Sequence, residues 1–351
     1  MLCAIAVELT GRILVPEYLS EQALFEYEAL RYVPDRRYRL GTPEFHHSIV
    51  INGDGFRDTA RLSDLNDRDV VALGDSMTFG TGVAARDTFV KRLQLLLRTA
   101  YPEITVFNSG VGGQNPKMSI STYWQHLSNT NHGVVLLSLF ARDDFVTKAS
   151  ADHFALGGNT TKDIAYYHWR IRSYLSEHSI IYALIKEIIF SSKNLTNILG
   201  RMGLIYNWRI PLWYDWPLNP ESNSALSYTC NLIANFRSEL AQRNRKLVVL
   251  ILPTAMQVEL SDSIPGTSYP GRGEEFDPLG PNREFASCLR VNDVDTHDLS
   301  LPMRQRFQKN RAPFFWSRDI HLNVDGHKFT ASFISAHVQN LLPQIQSGMK
   351  Q

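Results

Sequence analysis

Short apolar runs alternate with amphipathic stretches along most of this chain. Val70–Leu73 and Val134–Phe140 are apolar almost throughout, and Lys246–Leu252 becomes so after its first residue and stops at Pro253. Runs of this length, bounded by polar or turn-forming residues, predict strands buried on both faces, as in parallel sheets covered by helices. Ile104–Phe107 predicts a shorter strand, and Val291–Leu299 contains the last one. Helix-length segments lie between them. Thr88–Leu97 sets Phe89, Leu93, Leu96 and Leu97 at helical spacing. Lys117–His126, Ala225–Arg243 and Asp325–Leu342 read likewise, the last with Phe329, Phe333, His337 and Leu341 on one stripe. This alternation implies an α/β fold, a central parallel sheet with helices on both faces.

The pattern is interrupted twice. Residues 1–65 read as an N-terminal extension to an α/β domain over 66–345. Within the extension, Tyr32–His47 is rich in Arg, Tyr and Pro without helical period, and Ser48–Ile51 followed by Asn52-Gly53-Asp54-Gly55 predicts a short strand and turn. The second interruption, about 145–222, predicts a helical insertion (Tyr166–Leu175, Ile180–Phe190) serving as a lid or wall. Its aromatic group Trp208, Trp213, Tyr214 and Trp216 is read as packing rather than a sugar platform. Pro265–Pro281 is a Gly/Pro-rich loop.

No apolar span reaches the ~18 residues of a membrane-crossing helix. Met1–Val15 is apolar but broken by Glu8 and Arg12, with no basic leader and no small-residue cleavage site, so it does not read as a signal peptide. Two readings stay open for it: a short amphipathic helix, or the trailing end of a membrane anchor. The second would place the protein at a membrane of the cell envelope, which is favoured slightly over the cytoplasm.

The remaining bulk features exclude more than they assign. The chain has 351 residues, 44% hydrophobic and 20% charged, with a net charge of +1, so nothing points to a nucleic-acid partner. Cys3, Cys230 and Cys288 are too far apart for a zinc ribbon or a dithiol centre, and one disulfide plus one free thiol stays open. No phosphate-binding loop, HExxH or CxxC occurs. Gly110-Val111-Gly112-Gly113 is no dinucleotide fingerprint, because Asn115 stands at the third glycine position. His46-His47 reads as a surface pair. No cofactor and no metal are expected.

The chemistry concentrates in two distant places. Gly74-Asp75-Ser76 follows the first buried strand, which puts a serine hydroxyl at the carboxyl end of the sheet, where open α/β sheets bind ligands. Asp319-Ile320-His321 precedes the last helix and offers an imidazole with a carboxylate. A serine hydroxyl needs a base to remove its proton during attack. His321 is the candidate base for Ser76, and Asp319 the group that fixes the imidazole tautomer. His327 is the competing imidazole, placed where it caps or packs the last helix.

Four segments resemble the four blocks of the SGNH hydrolases, the GDSL esterase/lipase superfamily. Gly74-Asp75-Ser76 resembles the first. Asn108 to Gly113 resembles the second, Ala141-Arg142-Asp143-Asp144 stands in the place of the third, and Asp319-Ile320-His321 resembles the last. Asn52-Gly53-Asp54-Gly55-Phe56-Arg57-Asp58 is similar to a bacterial subgroup tied to envelope polysaccharide. The resemblance implies a flavodoxin-like three-layer α/β/α fold. It also implies acyl-ester chemistry through an acyl-enzyme on Ser76, with a small-molecule or glycan ester, O-acetylated above all, as substrate. The implied oxyanion donors are the backbone N–H groups of Ser76 and Gly113 and an Asn amide from the third block.

The chain departs from that pattern twice. The acid normally stands where Arg318 is, one residue earlier than Asp319. Asp143 replaces the Asn, and an ionised carboxylate donates no hydrogen bond. Loss of one oxyanion donor costs ~10²–10³ in rate. Asp143 is then kept protonated by burial, or it turns away and Arg142 supplies positive charge, or the site is weak or dead. Asp144 is expected to bond loop backbone. Three functions follow: a serine esterase, an O-acyltransferase if a sugar hydroxyl replaces water, or a non-catalytic protein of the same fold that binds a glycan or partner.

Overall fold

The computed structural model describes residues 2–14, 25–26, 29–42, 44–141, 144, 171, 174–175, 178–192, 195, 198, 218, 220–259, 277–317 and 319–348. Helix α1 (Leu2–Leu14) comes first, then two antiparallel ribbons. They pair β1 (Phe25–Glu26) with β2 (Arg31–Tyr32), and β3 (Arg37–Thr42) with β4 (Phe45–Val50). The second ribbon occupies the Arg- and Tyr-rich stretch that shows no helical period. Its alternation is there in β3, with Tyr38 buried between exposed Arg37 and Arg39.

The α/β series follows: β5 (Val70–Leu73), α2 (Ser76–Phe79), α3 (Phe89–Leu97), β6 (Val106–Asn108), α4 (Pro116–Thr122) and β7 (Val134–Phe140). Past α5 (Ile180–Ser191) it resumes with α6 (Pro220–Ala241), β8 (Lys246–Leu252), α7 (Ala255–Glu259), α8 (Gly280–Val291), β9 (Asp295–Asp298), α9 (Ser300–Asn310) and α10 (Val324–Gly348). The five strands β5 to β9 form one sheet, parallel throughout, in the order β6-β5-β7-β8-β9. The order reverses direction at β5, so the crevice beyond the carboxyl ends of β5 and β7 is the switch point where such sheets bind ligands.

Side-chain alternation along the strands divides the core into two layers. Val71, Leu73, Val135, Leu137, Val249 and Ile251 pack against α6 and α8, through residues such as Leu226, Ile233, Phe236 and Phe285. Val70, Ala72, Val134, Leu136, Val248 and Leu250 pack against α3, α7, α9 and α10. The result is the three-layer α/β/α architecture. A disulfide between Cys230 and Cys288 ties α6 to α8.

The N-terminal stretch contributes Tyr32, Tyr38, Ile49, Ile51, Phe56 and Leu65 to the first core layer. Two features differ from the sequence pattern. On α10 the buried positions are Gly326, His327, Thr330, Ala331, Ile334, Val338 and Leu342, while Phe329, Phe333, His337 and Leu341 lie at the flank. A wide apolar face hides which of two neighbouring stripes points inward. Helices α8 and α9 lie beyond the expected elements: α8 buries Phe285, Ala286 and Leu289 on one helical face, whereas α9 buries Ser300 and Met303. Of the expected insertion, α5 and a few flanking residues are described. Tyr166, the Trp208–Trp216 aromatic group and most of the 265–281 loop lie outside the described residues.

Candidate active site

Ser76 owes its position to a sharp turn after β5. Gly74 has a φ of +147°, and a Cβ there would lie 2.3 Å from Thr78 Oγ1 and 2.8 Å from the Ser138 carbonyl oxygen, so only glycine fits. Asp75 caps the short helix α2, its carboxylate accepting from the Met77 N–H at 2.8 Å. Ser76 is the first residue of that helix and is half-buried, followed by the buried Met77, Thr78 and Phe79.

His321 comes from a pinched loop ahead of α10. The Trp316 N–H donates to the His321 carbonyl at 3.1 Å. The Asn323 amide donates to the carbonyls of Pro313 and Phe315, while its Oδ1 caps α10 by accepting from Asp325 and Gly326. Glu259 at the end of α7 accepts the Phe314 and Phe315 N–H groups. Held this way, His321 Nε2 lies 2.8 Å from Ser76 Oγ across a sequence separation of 245 residues. Its Nδ1 is hydrogen-bonded to Asp319 Oδ1. That same oxygen accepts the His321 backbone N–H at 2.9 Å. An aspartate that bonds the backbone two residues on makes a tight turn, which is how a spacing of one intervening residue still reaches the ring. The side chains of His321 and Asp319 are 14% and 25% exposed.

The loop after β6 runs beside this pair. Asn108 stitches it to α2, donating to the Thr78 carbonyl at 3.0 Å and accepting from Gly110 N–H at 3.0 Å. Gly112 of this loop faces the serine: a Cβ added there would be 3.8 Å from Ser76 Cβ. Its N–H donates to the Tyr32 hydroxyl at 2.8 Å. Gly113 has a φ of +77° and faces open space, so backbone angle rather than crowding calls for glycine there. Beyond β7, the buried Asp144 carboxylate accepts from Phe140 N–H at 2.6 Å. Arg142, Asp143 and Arg318 lie outside the described residues.

His327 is fully buried and stacks on Phe89, and its Nδ1 accepts the Phe89 N–H at 3.1 Å. Burial, with Arg57 nearby, pushes its pKa down to about 3. It is a neutral packing group, unsuited to take a proton from Ser76. The His47 Nε2 bonds the Gly82 carbonyl at 2.8 Å, and His46 and His47, as neighbours on β4, point to opposite faces of the ribbon.

Residues whose roles are not evident from the sequence brace this rim. Arg57 is buried beneath α2 and donates to the carbonyls of Phe79 (3.0 Å), Gly80 (2.7 Å) and Val83 (2.7 Å). Burial lowers its pKa to about 10, which leaves it charged at neutral pH. Asp58 accepts the Asn108 N–H at 2.7 Å and pairs with Lys91 at 2.6 Å. Burial pushes the Tyr32 phenol up to about 12, so it stays protonated. Glu44 accepts the Ser317 N–H at 2.8 Å next to the His321 loop. The Asn52–Asp58 run was visible as a motif, but these partners are remote in sequence.

Residues 212–351 match the family model described as the SGNH hydrolase-like domain of the acetyltransferase AlgX. No curated protein matches the chain in sequence. Among solved structures, an acetyl xylan esterase, AlAXEase, is 15% identical, with a TM-score of 0.39, 77% of this chain covered and 99% of that one. Axe2, an acetylxylan esterase from Geobacillus stearothermophilus, is 13% identical, with a TM-score of 0.41 and coverages of 79% and 96%. A putative lipolytic protein of the G-D-S-L family from Desulfitobacterium hafniense is 13% identical, with a TM-score of 0.39 and coverages of 77% and 98%.

Proposed function

We propose, from the match of residues 212–351 to an SGNH hydrolase-like domain and from the pairing of Ser76 with His321, that the chain is a serine-dependent enzyme acting on acyl esters, with O-acetyl groups on carbohydrate as the substrate class. The single observation that carries this is the 2.8 Å approach of Ser76 Oγ to His321 Nε2, with Asp319 on the other ring nitrogen. In the first half-reaction Ser76 Oγ attacks the acyl carbon and its proton passes to His321 Nε2. The tetrahedral intermediate collapses, the ester C–O bond breaks, and His321 returns that proton to the departing alcohol oxygen. In the second, an incoming hydroxyl gives its proton to His321 and attacks, the acyl–Ser76 bond breaks, and His321 returns that proton to Ser76 Oγ. Asp319 holds Nδ1–H throughout and stabilises the imidazolium. The negative charge on the former carbonyl oxygen falls to the N–H groups of Ser76 and Gly113, with Arg142 or a protonated Asp143 as third donor.

Two acceptors are compatible with this site. Water makes it an esterase. A sugar hydroxyl makes it an O-acyltransferase, the reading favoured by the acetyltransferase named in the matching family model. The cysteine pair supports an oxidising compartment, such as the extracytoplasmic side of the envelope. No described helix is long and apolar enough to cross a membrane. The exposed Val7, Leu9, Ile13 and Leu14 of α1 support contact with a membrane surface.

A fluorophosphonate probe tests the reading. The wild type is expected to label, and Ser76→Ala to fold and stay unlabelled. Acetyl release from p-nitrophenyl acetate, measured with and without an oligosaccharide acceptor, separates water from sugar. A folded wild type that neither labels nor turns over ester overturns the proposal.

A further inference from the structure

The flank of α10 carries a cluster unrelated to Ser76. Asp295 and His297 are alternate residues of β9 and so share one face of the edge strand. Their ladder partners Val248 and Leu250 point into the layer that contains α10. His337 reaches the same place from α10. One Asp295 carboxylate oxygen lies 3.0 Å from His297 Nε2, and the other lies 2.6 Å from His337 Nε2. The imidazole centroids are 4.2 Å apart, and Phe333 stands edge-on to His297 at 6.4 Å.

We propose that Asp295, His297 and His337 form a binding site for a divalent transition-metal ion of the zinc class. Two ring nitrogens and a carboxylate oxygen lie within 4.8 Å of one another. Zinc bonds of ~2.0–2.2 Å in tetrahedral geometry set neighbouring ligands roughly 3.4 Å apart, so the three groups close on an ion with small side-chain movement. The donor set matters as much as the spacing. Imidazole nitrogens suit zinc, nickel and copper, whereas calcium and magnesium take oxygen ligands. The side chains are 36% (Asp295), 22% (His297) and 34% (His337) exposed, which gives an ion a path in and leaves a fourth position for water. Two of the ligands stand on a strand and one on a helix, elements that hold ligand geometry better than loops.

The site is separate from the proposed acyl chemistry. β9 is three strands from β5 across the sheet, roughly 14 Å at ~4.8 Å per strand. A bound ion ties the edge strand to the helix that begins just after His321. It therefore acts on stability, by mass action on the folded state, and not on the ester bond.

The test uses the full chain, stripped with a chelator and then titrated with Zn²⁺. The expected results are one equivalent bound by equilibrium dialysis with elemental analysis, a Tm that rises with free Zn²⁺, and a tetrahedral visible spectrum with Co²⁺. His337→Gln and His297→Gln are each expected to weaken that equivalent beyond the ~10–100-fold that follows loss of an outer hydrogen-bond partner. Both should leave Tm in chelator nearly unchanged. The His46→Gln/His47→Gln double variant controls for surface histidines and should bind as the wild type does. If His337→Gln fails to fold, His297→Gln on the strand decides. A wild type whose zinc stoichiometry and Tm response equal those of the His297→Gln variant overturns the proposal and leaves Asp295 as a plain hydrogen-bond bridge between two imidazoles.

Discussion

Replacing Asp319 by Asn and by Ala should give losses of very different size. Asp319 Oδ1 accepts both the His321 ring Nδ1–H and, at 2.9 Å, the His321 backbone N–H. An Asn has one carbonyl oxygen that can accept both. Its flipped orientation would set an NH₂ donor against the backbone N–H donor, so the turn itself selects the orientation that keeps Nδ1 protonated and Nε2 as the base. What remains lost is charge. A hydrogen bond to an ionised group is worth ~1.5–3 kcal/mol against ~0.5–1.5 for a neutral one. The difference, ~1–2 kcal/mol, corresponds to about 5–30-fold in kcat/KM. With Ala both donors lose their partner and the ring loses its anchor, so ~3–4 kcal/mol, or about 10²–10³-fold, is expected. The measurements are kcat/KM for p-nitrophenyl acetate and the second-order rate of fluorophosphonate labelling, which needs no deacylation. If folded Asp319→Asn is as inactive as Asp319→Ala in both assays, the shared oxygen does not lock the amide and the reasoning fails.

The remaining predictions concern the frame. Arg57→Lys keeps the charge but not the planar fork that serves three carbonyls. Urea unfolding should show a loss of ~2–4 kcal/mol together with slower labelling of Ser76; unchanged stability would remove Arg57 from the support of α2. His132 and His327 are both held by burial at about 3, below the unfolded value of 6.5. The native state therefore binds fewer protons than the unfolded one, and their contribution, complete above pH ~6.5, falls away as pH drops toward 3. His132→Gln should make the acid side of the stability curve shallower by ~1.4 kcal/mol per pH unit, read by urea unfolding at several pH values. An unaltered slope would count against a neutral buried His132. Cys230 and Cys288 close a loop over a separation of 58 residues, and reduction should lower stability by ~4 kcal/mol on a chain-entropy estimate. Equal Tm with and without reductant, in protein that titrates three thiols only after reduction, would contradict that.

The sequence shows what is local and periodic. Val134–Phe140 and Lys246–Leu252 declare themselves as strands because they are buried on both faces. Ser76 and His321 declare themselves because each sits in a short run with its own turn chemistry. The hidden parts depend on partners far along the chain. Arg57 acts on carbonyls 22 to 26 residues away, Asp58 on an N–H 50 residues away, and Tyr32 on one 80 residues away. The β9–α10 cluster is hidden for the same reason, since His337 meets Asp295 from 42 residues along the chain. Helix α9 escapes because Leu301 is exposed, so the buried Met303 and the half-buried Phe307 leave a thin apolar stripe among its Arg, Lys and Gln residues.

The long-range contacts change what counts as the site. Ser76 opens α2, Asn108 ends β6 and His321 lies in the loop before α10, and backbone bonds within the α/β unit leave these three segments incompletely held. The carbonyls that end α2 need a buried donor and find Arg57. The Asn108 N–H that opens the glycine loop needs an acceptor and finds Asp58, while the Gly112 N–H finds Tyr32. The segment before Trp316 and His321 is steadied by Glu259, and Ser317 by Glu44. Buried polar backbone left without these partners would cost ~1–3 kcal/mol at each group. Tyr32, Glu44, Arg57 and Asp58 are therefore part of the frame around a hydroxyl that lies 2.8 Å from an imidazole, and because the same stretch of chain also fills the first core layer, removing it would cost fold and geometry together.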